Sequence, residues 1–75
     1  MSFIEMTGET LEKIIDSGEL HHSDLVAAGV THKCIVRVNK QGDIEVRRPH
    51  GWDVVGGLIG DFETRVKGKT GLHWA

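Results

Sequence analysis

The stretch His32-Lys-Cys-Ile-Val-Arg-Val-Asn-Lys-Gln-Gly-Asp-Ile-Glu-Val-Arg-Arg48 decides the fold of this chain. Apolar and polar residues alternate on both sides of Lys40-Gln-Gly42, which is typical of two strands joined by a tight turn. With Gly42 in the left-handed conformation, a three-residue loop pairs Asn39 with Asp43. The stretch therefore predicts an antiparallel β-hairpin with a defined register.

This register predicts which side chains meet across the hairpin. The pairs on the inner face are Val38 with Ile44, Val36 with Val46, and Cys34 with Arg48. On the other face Arg37 meets Glu45 as an opposite-charge pair. A four-residue loop would set Arg37 against Ile44 and move the apolar residues of one strand to the wrong face.

Two helices are predicted before the hairpin. Thr7 can cap the first helix, and Gly18 supplies its left-handed stop. The second helix, Asp24-Leu-Val-Ala-Ala28, ends at Gly29. The apolar face of the first helix consists of Leu11, Ile14 and Ile15.

A third helix is predicted from Asp53 to about Lys67, with Gly68 as its stop. Its apolar stripe consists of Val55, Leu58, Ile59, Phe62 and Val66. Gly56, Gly57 and Gly60 should cost such a helix roughly 2–3 kcal/mol. Either the Gly56-x-x-x-Gly60 pair allows close approach of another backbone, or residues 53–57 are a loop and the helix begins near Leu58.

These elements predict an α+β fold in a single small domain over residues 1–75, in the order α-α-β-β-α, with the hairpin packed against the helices. A chain of 75 residues and 8.3 kDa has a core that supplies only about 3–5 kcal/mol, so self-association would add stability.

Composition indicates a folded soluble protein, because 27% of the residues are charged, 39% are hydrophobic, and the net charge is −2. We expect neither a signal peptide nor a membrane span, and hence a cytoplasmic protein. Residues 1–32 hold six carboxylates against Lys13, or −5, whereas residues 33–75 hold eight cations against five carboxylates, or +3. These opposite charges would steady the fold, attract another molecule, or simply be solvated.

No recognised catalytic or phosphate-binding motif occurs, so we expect neither an enzyme nor a cofactor. Cys34 is expected to behave as a small hydrophobe. His32, Cys34 and His50 would approach one another across the hairpin, but their spacing is not that of a zinc site, and no metal is predicted. The chain has five histidines, namely His21, His22, His32, His50 and His73.

One segment resembles a helix-turn-helix. In that family an apolar residue follows a glycine turn, and two more apolar residues lie five and eight positions later, as Gly29, Val30, Ile35 and Val38 do here. The resemblance implies DNA binding, and a winged-helix-like contact through the hairpin is a variant of it. Both conflict with a sequence pI near 6.2. The contacting residues would be Lys33, Arg37, Lys40, Arg47 and Arg48.

The sequence favours a non-catalytic protein-interaction or regulatory module, which binds another protein or a second copy of itself, over a nucleic-acid-binding domain. The candidate surfaces are the two spaced glycines, the edge of the hairpin and the aromatic C-terminal tail. Trp52 is expected to cover one end of the core. The tail either folds back on the core or anchors a partner. The candidate contact residues are Gly56, Gly60, Trp52, Leu72 and Trp74.

Overall fold

The computed structural model describes residues 2–15, 20–72 and 74. Its elements are β1 (Phe3–Thr7), α1 (Gly8–Ile14), α2 (His22–Ala27), β2 (Ile35–Asn39), β3 (Asp43–Arg48), β4 (Gly51–Gly57) and α3 (Phe62–Thr70). The strands form one antiparallel sheet in the order β1-β2-β3-β4. The α+β class is confirmed, whereas the predicted order of elements lacked two strands.

The first missing strand is β1, which pairs with β2 along its whole length. Ile4 and Met6 are buried, whereas Glu5 and Thr7 are exposed, as the two-residue period of a half-buried strand requires. The strand places the predicted hairpin in the middle of the sheet rather than at an edge. The hairpin edge proposed as a contact surface is therefore already occupied within the chain.

The hairpin register is confirmed in its central pairs, but the ladder does not reach the predicted pair of Cys34 with Arg48, because β2 begins only at Ile35. Its cross-strand pairs are Val36 with Val46, Arg37 with Glu45, and Val38 with Ile44. Gly42 has φ +90° and donates its N–H to the Asn39 carbonyl at 3.0 Å. The side-chain oxygen of Asn39 also accepts the N–H groups of Gln41 and Asp43, so the turn is held by local hydrogen bonds.

Both predictions for residues 53–57, a helix and a loop followed by a helix from about Leu58, were wrong. Residues 51–57 form the strand β4, which joins β3 through the turn Pro49-His50. The helix α3 begins only at Phe62, runs past the predicted stop at Gly68, and ends where Gly71 has φ +74°. Val54 and Val55 are β-branched and the glycines oppose a helix, so pairing with β3 is favoured over the helical stripe.

The helices before the hairpin agree better with prediction. The hydroxyl oxygen of Thr7 accepts the Thr10 N–H at 3.3 Å, which confirms the predicted cap of α1. The predicted stop at Gly18 lies outside the described residues. The helix α2 begins two residues earlier than predicted, and Gly29 follows it with φ +76°.

One face of the sheet packs against the helices to form the core. Its buried side chains from the strands are Ile4, Met6, Val36, Val38, Ile44 and Val46. Leu11, Ile14, Leu25, Val30, Leu58 and Val66 complete it from the helices and loops. In the described part of the chain, no helix has the length and apolar character needed to cross a bilayer.

Candidate interaction surface

The strands send alternate side chains to the face of the sheet opposite the core, here called the outer face. Strand register assigns to it Phe3, Glu5, Thr7, Ile35, Arg37, Asn39, Asp43, Glu45, Arg47, Trp52 and Val54. All of these residues except the buried Asn39 are half-buried or exposed. The outer face thus brings together residues from all four strands.

Arg37 lies at the centre of this face, between two aromatic rings. Its guanidinium carbon is 3.8 Å from the centroid of the Phe3 ring and 4.1 Å from that of the Trp52 ring. Its Nε donates a hydrogen bond to Glu45 Oε1 at 2.5 Å. Cation–π contacts and a charge-assisted hydrogen bond hold the guanidinium in one orientation. We call Phe3, Arg37 and Trp52 the outer-face stack.

Apolar and charged side chains extend the surface around the stack. Val54 is 64% exposed and Ile35 is 38% exposed. Glu5 and Arg47 are exposed as well, and neither takes part in a salt bridge within the described chain. Sequence reasoning missed this site because it lacked β1 and β4, although the alternation in Phe3–Thr7 was a signal for the first of them.

The predicted glycine surface does not exist as a helix face. Gly56 lies in β4, where an added Cβ would be 2.7 Å from a methyl carbon of Leu20. Gly60 follows the strand with φ +70° and has open space around its Cα. Trp52 was predicted to cover one end of the core, but it lies on the outer face. Of the five predicted partner-binding residues, Trp52 alone belongs to the outer-face stack.

The C-terminal tail folds back on the protein, which was one of the two predicted arrangements. The indole Nε1 of Trp74 donates to the Val38 carbonyl at 3.0 Å. Its ring meets Phe62 edge-on, with centroids 5.9 Å apart and an interplanar angle of 88°. Leu72 is 49% exposed and does not belong to the outer face.

The predicted recognition helix is absent, because residues 35–39 form β2. The five candidate cations do not converge either. Lys40 lies at the hairpin turn, whereas Lys33 and Arg48 lie at the opposite end of the hairpin. Arg48 is used within the fold: it donates to the Ala28 carbonyl and pairs with Asp53 at 3.2 Å.

The histidines considered as metal ligands contact carboxylate side chains instead of one another. The imidazole of His32 contacts Glu12, and its Nδ1 is 3.9 Å from a Glu9 oxygen. His50 lies 3.5 Å from Asp53. No cluster of three or more His, Cys, Asp or Glu side chains suited to a metal ion occurs among the described residues. His73 and the side chain of His22 are outside that description.

Cys34 was predicted to lie within a strand, but it precedes β2 and is half-buried. Its Sγ lies 3.4 Å from the Thr31 hydroxyl and accepts the Thr31 N–H at 3.3 Å. These hydrogen bonds, with a smaller contribution from the charge of Arg48, lower the pKa of the Cys34 thiol. Cys34 also packs against the core, as expected of a small hydrophobe, but its thiol is more acidic than that of an ordinary cysteine.

Comparison with known proteins supplies no relative, because no family model, curated protein or solved structure matches the chain. Its function is therefore argued from geometry alone.

Proposed function

We propose that this protein is a non-catalytic interaction module that binds a partner protein through its outer face. The observation that carries this proposal is the outer-face stack, in which a guanidinium group is held between two aromatic rings on a sheet face that no described helix covers. Trp and Arg are enriched among the residues that dominate binding at protein interfaces. Because the stack is ordered before binding, association costs little side-chain entropy.

The charge of the outer face supports a protein partner over a nucleic acid. The face carries three carboxylates, from Glu5, Asp43 and Glu45, against the guanidinium groups of Arg37 and Arg47, so its formal charge is −1. Affinity for nucleic acid comes largely from cations that neutralise phosphates. A face that mixes charges of both signs with aromatic and apolar side chains instead suits a protein surface.

Two further features agree with this proposal. Of the described groups that could perform chemistry, the Cys34 thiol contacts Thr31, and the imidazoles of His32 and His50 contact carboxylates rather than the thiol, which supports a non-catalytic role. We also propose that the protein acts in the cytoplasm. A reducing compartment would keep its one cysteine, Cys34, as a free thiol.

Site-specific photo-crosslinking in cells tests the proposed surface. A photoreactive residue replaces Arg47 on the outer face, and the matched control replaces Val26, which is 60% exposed on α2. We expect a discrete protein adduct from position 47 and none from position 26. The partner is then purified and its affinity measured with the wild-type chain and with Trp52→Ala.

The Trp52→Ala variant should weaken binding by about 30-fold, since loss of a dominant interface residue costs about 2 kcal/mol or more. Circular dichroism must show that the variant stays folded. Equal adducts at positions 26 and 47, or unchanged affinity of a folded Trp52→Ala, would contradict the proposal. Salt-sensitive binding of DNA or RNA that falls on Arg47→Ala would favour the alternative function.

A further inference from the structure

We propose that the outer face binds a second copy of this chain, face to face about a two-fold axis. This inference rests on the proposed function, since it names the partner of the same surface. The charged and aromatic residues on the face of one copy are positioned to complement the same residues on the face of a second copy.

The sheet register places these residues on a simple grid. Glu5, Arg37 and Glu45 are neighbours in one row across β1, β2 and β3. Arg47 lies one row further along β3, next to Trp52 on β4. Adjacent strands are about 4.8 Å apart, and same-face residues along one strand are about 6.8 Å apart.

The two-fold axis lies between the two facing sheets and parallel to them. It crosses the line that joins the positions of Glu5 and Arg47 at its midpoint and at a right angle. Glu5 of each copy therefore faces Arg47 of the other. The same rotation sets Arg37 against Glu45 of the second copy, and Trp52 against its Phe3. On the flat grid the two residues of each of these last two pairs lie within about 3 Å of each other, measured in the plane of the sheets. The strands of the two sheets cross at about 70°, near the orthogonal class of sheet packing.

A single symmetry operation therefore creates three favourable contacts, and each is made twice because the interface is isologous. Two of them join opposite charges and the third joins two aromatic rings. The charge pattern thus selects a second copy as occupant without requiring a complementary surface from elsewhere.

The size of the face sets the strength of this association. Four strands of five residues cover about 20 by 17 Å, or roughly 350 Å² per copy, which is less than half of the roughly 800 Å² in a standard interface. We therefore expect a weak dimer that forms at high protein concentration. Because salt screens the attraction between the opposite charges of the two copies, the dimer should be weaker at high salt.

Sedimentation equilibrium of the full chain, from about 10 μM to 1 mM, tests the proposal in the range of weak complexes. Glu5→Arg and Arg47→Glu should each weaken self-association at least tenfold, because each brings like charges together twice. Mixing these two variants in equal amounts should restore a dimer. The arginine at position 5 of one variant then faces the glutamate at position 47 of the other, and the native Arg47 of the first faces the native Glu5 of the second. A variant that carries both substitutions should also self-associate.

Lys33→Glu is the matched control, because it reverses an exposed cation that lies outside the outer face. It should leave self-association unchanged. A dimer that persists in both single variants, or a mixture that stays monomeric, would overturn the proposed arrangement. A strictly monomeric wild-type chain at the highest concentration would overturn the second copy as partner, while an adduct with a different protein at position 47 would leave the proposed function standing.

Discussion

Replacing Gly8 by alanine should remove most of the stability of the protein. A Cβ atom at this position would lie 2.0 Å from the backbone oxygen of Thr31. Reaching an ordinary contact of 3.4 Å requires a shift of 3.4 − 2.0 = 1.4 Å between the start of α1 and the turn before β2. That shift strains two hydrogen bonds, from the Gly8 N–H to the Cys34 carbonyl and from the Glu9 N–H to the His32 carbonyl.

The cost follows from these contacts. Overpacking costs about 1–3 kcal/mol, and the two hydrogen bonds contribute about 1 kcal/mol each. Helix propensity favours alanine by at most about 1 kcal/mol. The net loss is about 3 kcal/mol, most of the stability of a domain this small. In a urea titration followed by circular dichroism, the midpoint should fall by about 3 M, since the slope is about 1 kcal/mol per M.

Gly68→Ala is the matched control. Gly68 lies in α3 with open space around its Cα, so the same substitution should stabilise the protein by about 0.5–1 kcal/mol. A Gly8→Ala variant with an unchanged or higher urea midpoint would refute the close approach of α1 to the turn at Thr31.

Four further predictions concern three side chains. The lowered pKa of Cys34 should make its alkylation by iodoacetamide at pH 7 faster in the wild type than in Thr31→Val, where the pKa rises. Because the pKa of Cys34 is lower in the folded state than its ordinary value of 9.0, the thiolate should add stability as pH rises from the folded-state pKa to 9.0. A Cys34→Ala variant should lack this gain when urea titrations are repeated at several pH values. Arg37→Lys should cost about 1 kcal/mol in unfolding free energy, since an ammonium cannot stack as a planar guanidinium does; unchanged stability would show that the stack contributes little to folding. Trp74→Phe should lose the hydrogen bond to the Val38 carbonyl and about 1 kcal/mol, measured by thermal unfolding.

Local chemistry made the hairpin and the helix cap predictable. The turn at Gly42 and the alternation on both sides of it lie within one continuous stretch, so their register follows from neighbouring residues alone. The cap at Thr7 and the left-handed Gly29 are likewise decided within a few residues. Short-range hydrogen bonding and backbone conformation suffice for such features.

The two outer strands depended on partners that are distant or ambiguous in the sequence. The five residues of β1 form a strand because β2, some thirty positions later, offers them a complete ladder. Residues 51–57 carried part of a helical apolar stripe, yet the free edge of β3 satisfied their backbone groups as a strand. Local periodicity cannot decide such cases, because the competing hydrogen-bond partners come from elsewhere in the chain.

The candidate site belongs wholly to the tertiary structure. The sequence predicted Arg37 opposite Glu45, and that pair is confirmed. Phe3 and Trp52 are separated by 52 − 3 = 49 positions in the sequence. Both contact the guanidinium group of Arg37 only after β1 and β4 have joined opposite sides of the hairpin. By itself the sequence determined the local turns and the central register, whereas the outer face required the non-local pairing of all four strands.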